Sequence, residues 1–461
     1  MNPIYTSVFE PSVYGIYGEF YIYIPILLTI LTFGLETGFF RFSSNQIENK
    51  ESVYSTSFTT LLITSSVFIL YVMFSYQSII SGLDLSPNRW YVILSGWIVF
   101  FDVIAAIPFA RLRSENKATL FVVIKTLNIL VNVGLNLLLI YIIPSLFPSL
   151  PKMGILVIFI ANVITSFLTL FVVMHFAGIP SVRINKPLFK EMMIYSLPLV
   201  ISGLVGQIND LLDRFSIKYL LPSGENPMYQ MGIYISNLKL AVVLTLFTQM
   251  FRYAAEPFFF SNVNKEDSSK TYADVFKYFS IFGMIIFLLV TLYIDIFQHL
   301  EGIKFRIGLP IVPILLLSYY FVGLLYNLQI IFKLHNKTRK TIDVTAFGLV
   351  ILVIFNMIFV PRFGYQAAAW GRLLSFVSMC VVSYFIARKF VRIPYDFKAI
   401  LLYFVLGLGI YFLSEAVRQE NIYLRLAINT VLFSSYVLVF LYREKINPVT
   451  IAKSFLKWKS K

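Results

Sequence analysis

Four basic side chains sit inside apolar stretches, where an unpaired charge is costly: Lys125, Arg214, Lys239 and Arg372. Acids accompany them: Asp102, Asp210 and Asp213, with Glu19 and Glu36 near the ends of the first apolar run. A charge in an apolar helix persists where it meets a partner or faces a wet cavity, so each is a candidate for handling a ligand. The residue types suit an anion, because Arg can clamp a phosphate with a bidentate fork and Lys can meet it as a point charge. Arg214 and Lys239 lie twelve and thirteen residues either side of Asn226, so they share a depth on consecutive helices. They read either as an anion site or, with Asp210 and Asp213, as a self-satisfied cluster; either acid is also a candidate for a coupling cation. Asp102 and Lys125 lie twelve and eleven residues either side of Ser114 and are expected to form an interhelical ion pair. Arg372 is expected to snorkel to the interface, and Glu36 to pair with Arg41 there. Asn128, Asn132 and Asn136 recur every four residues on one helix face, suited to bonding helices together or to contacting polar ligands. Glu19 is a further candidate for such a contact.

No catalytic constellation competes with this reading. His175, His299 and His335 are scattered, and neither a phosphate-binding GxxxxGK[ST] loop nor an HExxH helix occurs. The single cysteine, Cys380, excludes an internal disulfide and a cysteine metal cluster. No cofactor and no metal is implied. A polymerase or ligase of lipid-linked sugars would carry a large external loop, and the connections here are short. The charged residues point to binding and movement of a ligand, not to covalent chemistry.

The elements that position them are membrane helices. The chain is 58% hydrophobic and 13% charged, with a mean hydropathy of +0.78. Too little charge is present to cover a soluble protein of 461 residues. Apolar runs near 15–42, 53–77, 90–110, 118–142, 154–176, 191–217, 231–254, 273–298, 310–332, 342–360, 367–387, 399–417 and 425–442 read as thirteen spans. The runs do not alternate, which excludes a transmembrane β-barrel. The net charge of +15 belongs to loops on one side and implies no nucleic acid. Those loops hold Arg111, Arg113 and Lys117; Arg183, Lys186 and Lys190; Lys333, Lys337, Arg339 and Lys340; and Arg388, Lys389, Arg392 and Lys398. The basic tail ends with Lys453, Lys457, Lys459 and Lys461. The opposite side holds Arg89, Lys152, Lys218 and Arg362. By the positive-inside rule the C-terminus is cytoplasmic. The tail's spaced Ile, Phe, Leu and Trp suit the surface of an anionic leaflet.

The chain repeats. Residues 14–42 align with 231–259, Gly15 on Gly232, and "RLRSENKAT" at 111–119 matches "KLHNKTRKT" at 333–341. The copies lie six spans apart and share an orientation, as in parallel repeats about the membrane normal. The helix at 191–217 that precedes the second copy then needs a counterpart before Met1. A reading frame extended upstream by roughly 20–25 residues, with one more span, is expected.

Six stretches carry a family resemblance: "IYTSVFEPSVYGIY" at 4–17, "FGLETGFFRF" at 33–42, "IPFARLRSENKA" at 107–118, "GLPIVPILLLSYYFVGLLYNLQIIFKLHNKT" at 308–338, "VPRFGYQAAAWGRL" at 360–373 and "RIPYDFK" at 392–398. In this order the chain resembles the Wzx-like polysaccharide flippases of the multidrug/oligosaccharidyl-lipid/polysaccharide exporter superfamily. The resemblance implies an all-α polytopic protein of two six-helix lobes plus two C-terminal helices, with the first helix missing here. The lobes would be 1–176 and 191–390, joined by a linker at 177–190, with extra helices in 391–443 and a tail at 444–461. It implies alternating-access movement of an undecaprenyl-diphosphate-linked oligosaccharide across a bacterial inner membrane. Its partners would be membrane lipids and glycan polymerase or chain-length proteins. Arg214, Lys239, Lys125 and Arg372 are then candidates for the diphosphate, and Asn128, Asn132 and Glu19 for the sugars. A cation-coupled drug antiporter of the same superfamily is the main alternative, and a membrane-embedded glycan polymerase or ligase the second.

Overall fold

The computed structural model describes residues 1–43, 49–115, 117–148, 154–262, 268–335, 337 and 339–445. The expected basic tail beyond Lys445 and the loop cation Lys152 lie outside them. The described residues form helices and no strands. After a short α1 (Asn2–Val8) come α2 (Pro11–Leu31), α3 (Leu35–Ser43), α4 (Lys50–Gly82), α5 (Arg89–Ser114), α6 (Ala118–Leu137) and α7 (Leu156–Ala177). Then follow α8 (Lys186–Leu220), α9 (Pro227–Asn262), α10 (Ser268–Leu292), α11 (Val312–Leu334), α12 (Arg339–Ala387), α13 (Phe397–Ala416) and α14 (Ile422–Arg443). The starts are encoded locally. Asn49, Asn88, Asn185, Asp396 and Asn421 each accept a hydrogen bond from a backbone N–H in the first turn that follows.

Eleven segments among the described residues are long and apolar enough to cross a membrane, and α8, bent by 42° between Lys186–Pro198 and Gly203–Leu220, makes a twelfth. The segment α12 is 49 residues long. As one rod it would measure roughly 73 Å, more than twice the ~30 Å of a bilayer core. Gly364 breaks it with a φ of 59° and a ψ of −140°, which only glycine adopts without strain. Each half then has the length of one crossing, which recovers the expected runs 342–360 and 367–387. The joint between α2 and α3 is another left-handed turn, at Phe33 and Gly34.

The chain divides into two compact units. The first comprises Met1 and Phe9–Gly232, the second Asn2–Val8 and the residues from Ile233 onward. The repeat argument puts α8 in the second lobe, whereas its contacts put it in the first unit. The cause is close packing on α2 and α3. The backbone at Gly34 and Gly38 meets Ser196 of α8, and Tyr23 of α2 shares a 2.6 Å hydrogen bond with Tyr219.

Also within the first unit, the two repeat glycines meet. A β-carbon on Gly15 would overlap the carbonyl of Met228, and one on Gly232 would overlap the carbonyl of Pro11. Pro11 and Met228 are themselves equivalent in the repeat. Each glycine therefore faces the residue equivalent to its partner's neighbour. The second repeat shifts by two residues against the sequence alignment. The turn closed by Glu115 N–H to the Arg111 carbonyl and Lys117 N–H to the Leu112 carbonyl recurs as His335 to Ile331 and Lys337 to Phe332. This offset puts Asn136 on Asn356, and both are fully buried.

In the second unit α10 packs against α11, α13 and α14. Ion pairs fix it at both ends. Asp295, just beyond α10, meets Arg425 at 2.6 Å, and Lys277 meets Glu444 at 2.7 Å. Helix α1 is held to the loop after α10, where Asn2 Nδ2 donates to Glu301 at 2.6 Å and the Gly302 N–H donates to Thr6 Oγ1 at 2.9 Å.

Candidate functional site

A cavity of about 680 Å³ opens in the first unit, walled by α2, α3, α5, α6 and α7. Five of the residues singled out from sequence line it: Asp102, Lys125, Asn128, Asn132 and Glu36. The polar wall is completed by Tyr21, Arg113, Asn162, Thr165, Ser166 and Thr169. So polar a lining inside membrane helices marks a wet chamber.

Helix α6 brings its asparagines to α7. Asn128 Nδ2 donates to Thr169 Oγ1 at 2.7 Å, and Asn132 Nδ2 donates to Asn162 Oδ1 at 2.8 Å. Asn162 in turn donates to the Tyr21 hydroxyl. The stripe bonds helices together and also borders the chamber, so its two readings do not compete. The third member, Asn136, turns back onto the Asn132 carbonyl at 2.8 Å. Asn162, Thr165 and Thr169 escaped the sequence reading, although their i, i+3, i+7 spacing marks one face of α7.

The expected Asp102–Lys125 ion pair does not form. Lys125 Nζ lies 4.3 Å from the centroid of the Phe109 ring, a cation–π contact, and its side chain is exposed to the chamber. Asp102 has the Ser166 hydroxyl as its neighbour and feels the charge of Lys125 only through space. Equal depth placed the two on one chamber, but the ring captured the ammonium. The expected Glu36–Arg41 pair is also replaced. Five residues on a helix leave two side chains about 140° apart. Glu36 therefore turns to Arg113 of α5 at 2.9 Å, and Arg41 lies 4.1 Å over the Tyr195 ring.

Glu19 is no open contact. It is fully buried and meets Lys218 at 2.9 Å, with side-chain exposures of 1% and 2%. Its second oxygen accepts from the Ser86 N–H and hydroxyl at 3.2 and 2.8 Å, while Lys218 Nζ also donates to the Leu83 carbonyl at 2.8 Å. The sequence reading left Lys218 as a loop cation, because it directly follows the apolar run 191–217. Tertiary burial of a long side chain has no local signature.

The remaining candidates fall in two places. Arg214 belongs to the first unit, near Tyr17, with its Nε buried and without a hydrogen-bond partner. The carboxylate of Asp213, fully buried, accepts from the Arg214 backbone N–H at 2.8 Å, and Asp210 is exposed on the same helix. Lys239 belongs to the second unit, where its charge acts on Glu301. Glu301 lies in a loop, accepts from Ser236 and Asn2, and has its pKa pushed up to about 7 by burial; Ser236, Lys239 and Asn2 only partly offset this. Arg372 does not snorkel. It is 2% exposed, between the rings of Tyr319 and Phe376 at 5.0 and 5.3 Å.

The family described as "Polysaccharide biosynthesis protein" matches residues 1–263, more than half of the chain. The chain belongs to that family. Its fold is shared with solved transporters. "Lipid II flippase MurJ, inward closed conformation" aligns at a TM-score of 0.73 and 16% identity, over 97% of this chain and 96% of that one. An inward-facing multidrug resistance MATE family transporter of the MOP superfamily aligns at 0.67 and 16% identity, over 84% and 92%. The outward-facing form of a MATE family transporter gives 0.60 at 16% identity, over 84% and 90%. Among curated proteins none matches the chain. The family member described here is thus a multi-pass helical membrane protein with a transporter fold, and its polar chamber lies inside the matched region.

Proposed function

We propose that the protein is a flippase that moves an undecaprenyl-diphosphate-linked oligosaccharide across a bacterial inner membrane, for O-antigen, capsule or exopolysaccharide assembly. Alternating access between two states of the lobes would carry the headgroup, with the basic loops and the C-terminus cytoplasmic. The supporting observation is the chamber of the first unit. Within one cavity it offers an exposed ammonium at Lys125, a guanidinium at Arg113, and the amides and hydroxyls of Asn128, Asn132, Asn162 and Thr165. Cations suit a diphosphate, and amides with hydroxyls suit sugars. Arg214, Lys239 and Arg372 are further candidates for the anion along the path. The reaction requires no bond to be made or broken, so the protein acts as a transporter and not as an enzyme.

One observation favours a second reading. Among the described residues Asp102 has no ion-pair partner, and a carboxylate that faces a wet chamber could bind a coupling cation or a cationic drug. Proteoliposomes separate the two. Under the first reading they translocate a labelled lipid-diphosphate-oligosaccharide and do not extrude a cationic dye, and Lys125→Met slows translocation. Dye extrusion that depends on Asp102, without translocation of the lipid, would overturn it.

A further inference from the structure

At the other end of α4 and α5, two pockets of the first unit are lined by consecutive residues of one loop. One, of about 410 Å³, lies between α2, α4 and α5 and is walled mainly by Phe20, Ile24, Leu27, Phe68 and Val92. It opens beside a face of α4 suited to lipid, where Val67, Tyr71 and Phe74 are 62%, 57% and 84% exposed. The other, of about 540 Å³, lies where α8 gives way to α9 and is walled by Asp84, Lys218, Tyr219, Ser223 and Asn226. A single loop divides them. Leu83 lines the apolar pocket, and the next residue, Asp84, lines the polar one. The Leu83 carbonyl accepts from both Lys218 Nζ and the Tyr219 hydroxyl at 2.8 Å. Tyr23, on the apolar side, shares its 2.6 Å hydrogen bond with Tyr219 on the polar side.

The charge of the polar pocket selects its ligand. The Lys218 ammonium is neutralised by Glu19, which leaves Asp84, without a salt bridge among the described residues, as the net charge on the wall. Such a pocket repels phosphate. Its carboxylate, amide, hydroxyls and aromatic ring suit the hydroxyls and the apolar face of a sugar. Asp84 and Asn226 both hold left-handed backbones, with φ of 45° and 48°, a conformation that costs a non-glycine residue energy. Meanwhile Ser95 Oγ, on the apolar wall, is buried without a hydrogen-bond partner.

We propose that this double pocket binds a glycolipid, with its chain between α2, α4 and α5 and its sugar against Tyr219, Asp84 and Asn226. It lies on the face opposite the basic loops. It stands on its own walls as a site for a phosphate-free glycolipid, and does not depend on the function proposed above.

The test uses the full chain in nanodiscs and two probes with the same photoreactive dodecyl chain, one headed by maltose and one by phosphocholine. Crosslinked peptides are mapped by mass spectrometry. The maltoside is expected to label segments 68–85 and 92–96 saturably, about tenfold more tightly than the phosphocholine probe, the ratio given by one or two hydrogen bonds. Ser95→Phe, which fills the apolar pocket, should abolish labelling there. Asp84→Gly and Asn226→Gly keep the left-handed turns, so they fold, and should bring the two probes to parity while chain labelling persists. Equal labelling by both probes in the unaltered protein, or labelling indifferent to Ser95→Phe, overturns the proposal. Selective labelling in a protein that translocates no lipid-linked glycan would sink the flippase reading and leave the site. Translocation without selective labelling would do the reverse.

Discussion

Replacing Glu19 by Gln should cost the first unit more stability than any single change on its chamber wall. The substitution keeps the shape and an acceptor for Ser86, but it removes the charge that faces Lys218. That ammonium is 2% exposed, and its remaining partners are the Leu83 carbonyl at 2.8 Å and the rings of Tyr219 and Tyr23 at 4.6 and 5.8 Å. An ion left in that position costs about 3–5 kcal/mol. For a unit of this size each kcal/mol moves the midpoint by about 2–4 °C, so a fall of roughly 6–20 °C is expected. Lys218→Met should cost less, because Glu19 keeps two donors from Ser86. The double variant, Glu19→Gln with Lys218→Met, removes both charges and should regain most of the loss, since a buried pair adds little over neutral side chains of like volume. Thermal unfolding of detergent-purified protein, followed by the monodisperse fraction on size exclusion, reads all three. A Glu19→Gln midpoint within about 2 °C of the parent, or a double variant no better than the worse single, would refute the reasoning.

Gly15→Ala and Gly232→Ala should each destabilise, by similar amounts, because each new methyl enters the same kind of backbone contact; membrane abundance checks this, and a neutral result at either position breaks the symmetry argument. Glu301 sets a pH dependence. Its folded pKa, about 7, lies above the ordinary carboxyl value, so between roughly pH 4.5 and 7 the folded state binds more protons than the unfolded one. Stability should therefore fall as pH rises through that window and level off above it, and Glu301→Gln should flatten the profile of midpoint against pH. Lys125→Met should slow translocation at normal abundance, because the side chain is exposed to the chamber and its ammonium makes no ion pair among the described residues, whereas Arg372→Met, which strips charge from a buried site, should lower abundance itself.

The sequence located elements and depths better than partners. Each apolar run read from hydropathy falls on a candidate span among the described residues, and even the break in α12 was visible as two apolar runs around "PRFGYQ". Equal distance from a loop put Asp102 and Lys125 at one depth, and both line the chamber. Depth is a single coordinate, however, and pairing also needs the rotation of each helix and the reach of each side chain. Lys125 found a ring before it found the carboxylate, and Glu36 found Arg113 because a fifth-neighbour cation lies round the helix. Lys218 shows the other limit. Just past the apolar run it reads as a loop cation, and the fold of the 83–86 loop over it makes it the most deeply buried lysine among the described residues of the first unit.

The repeat explains a further pair of contacts that look unrelated. Under the offset that sets Gly15 on Gly232, Glu19 corresponds to Ser236. In the first unit the helix supplies the carboxylate, Glu19, and the loop supplies the serine, Ser86. In the second the helix supplies the serine, Ser236, and the loop supplies the carboxylate, Glu301. A hydrogen bond between helix and loop needs one donor and one acceptor at that depth, and either side can carry either part. What the exchange changes is the charge balance. Glu19 has Lys218 against it, so the first unit's clasp holds a closed ion pair. Glu301 makes no salt bridge of its own among the described residues and feels Lys239 only from a distance, which is why its burial is felt as a raised pKa. The two halves of a duplicated scaffold thus hold their loops by the same bond, and in the second that bond depends on a proton near neutral pH.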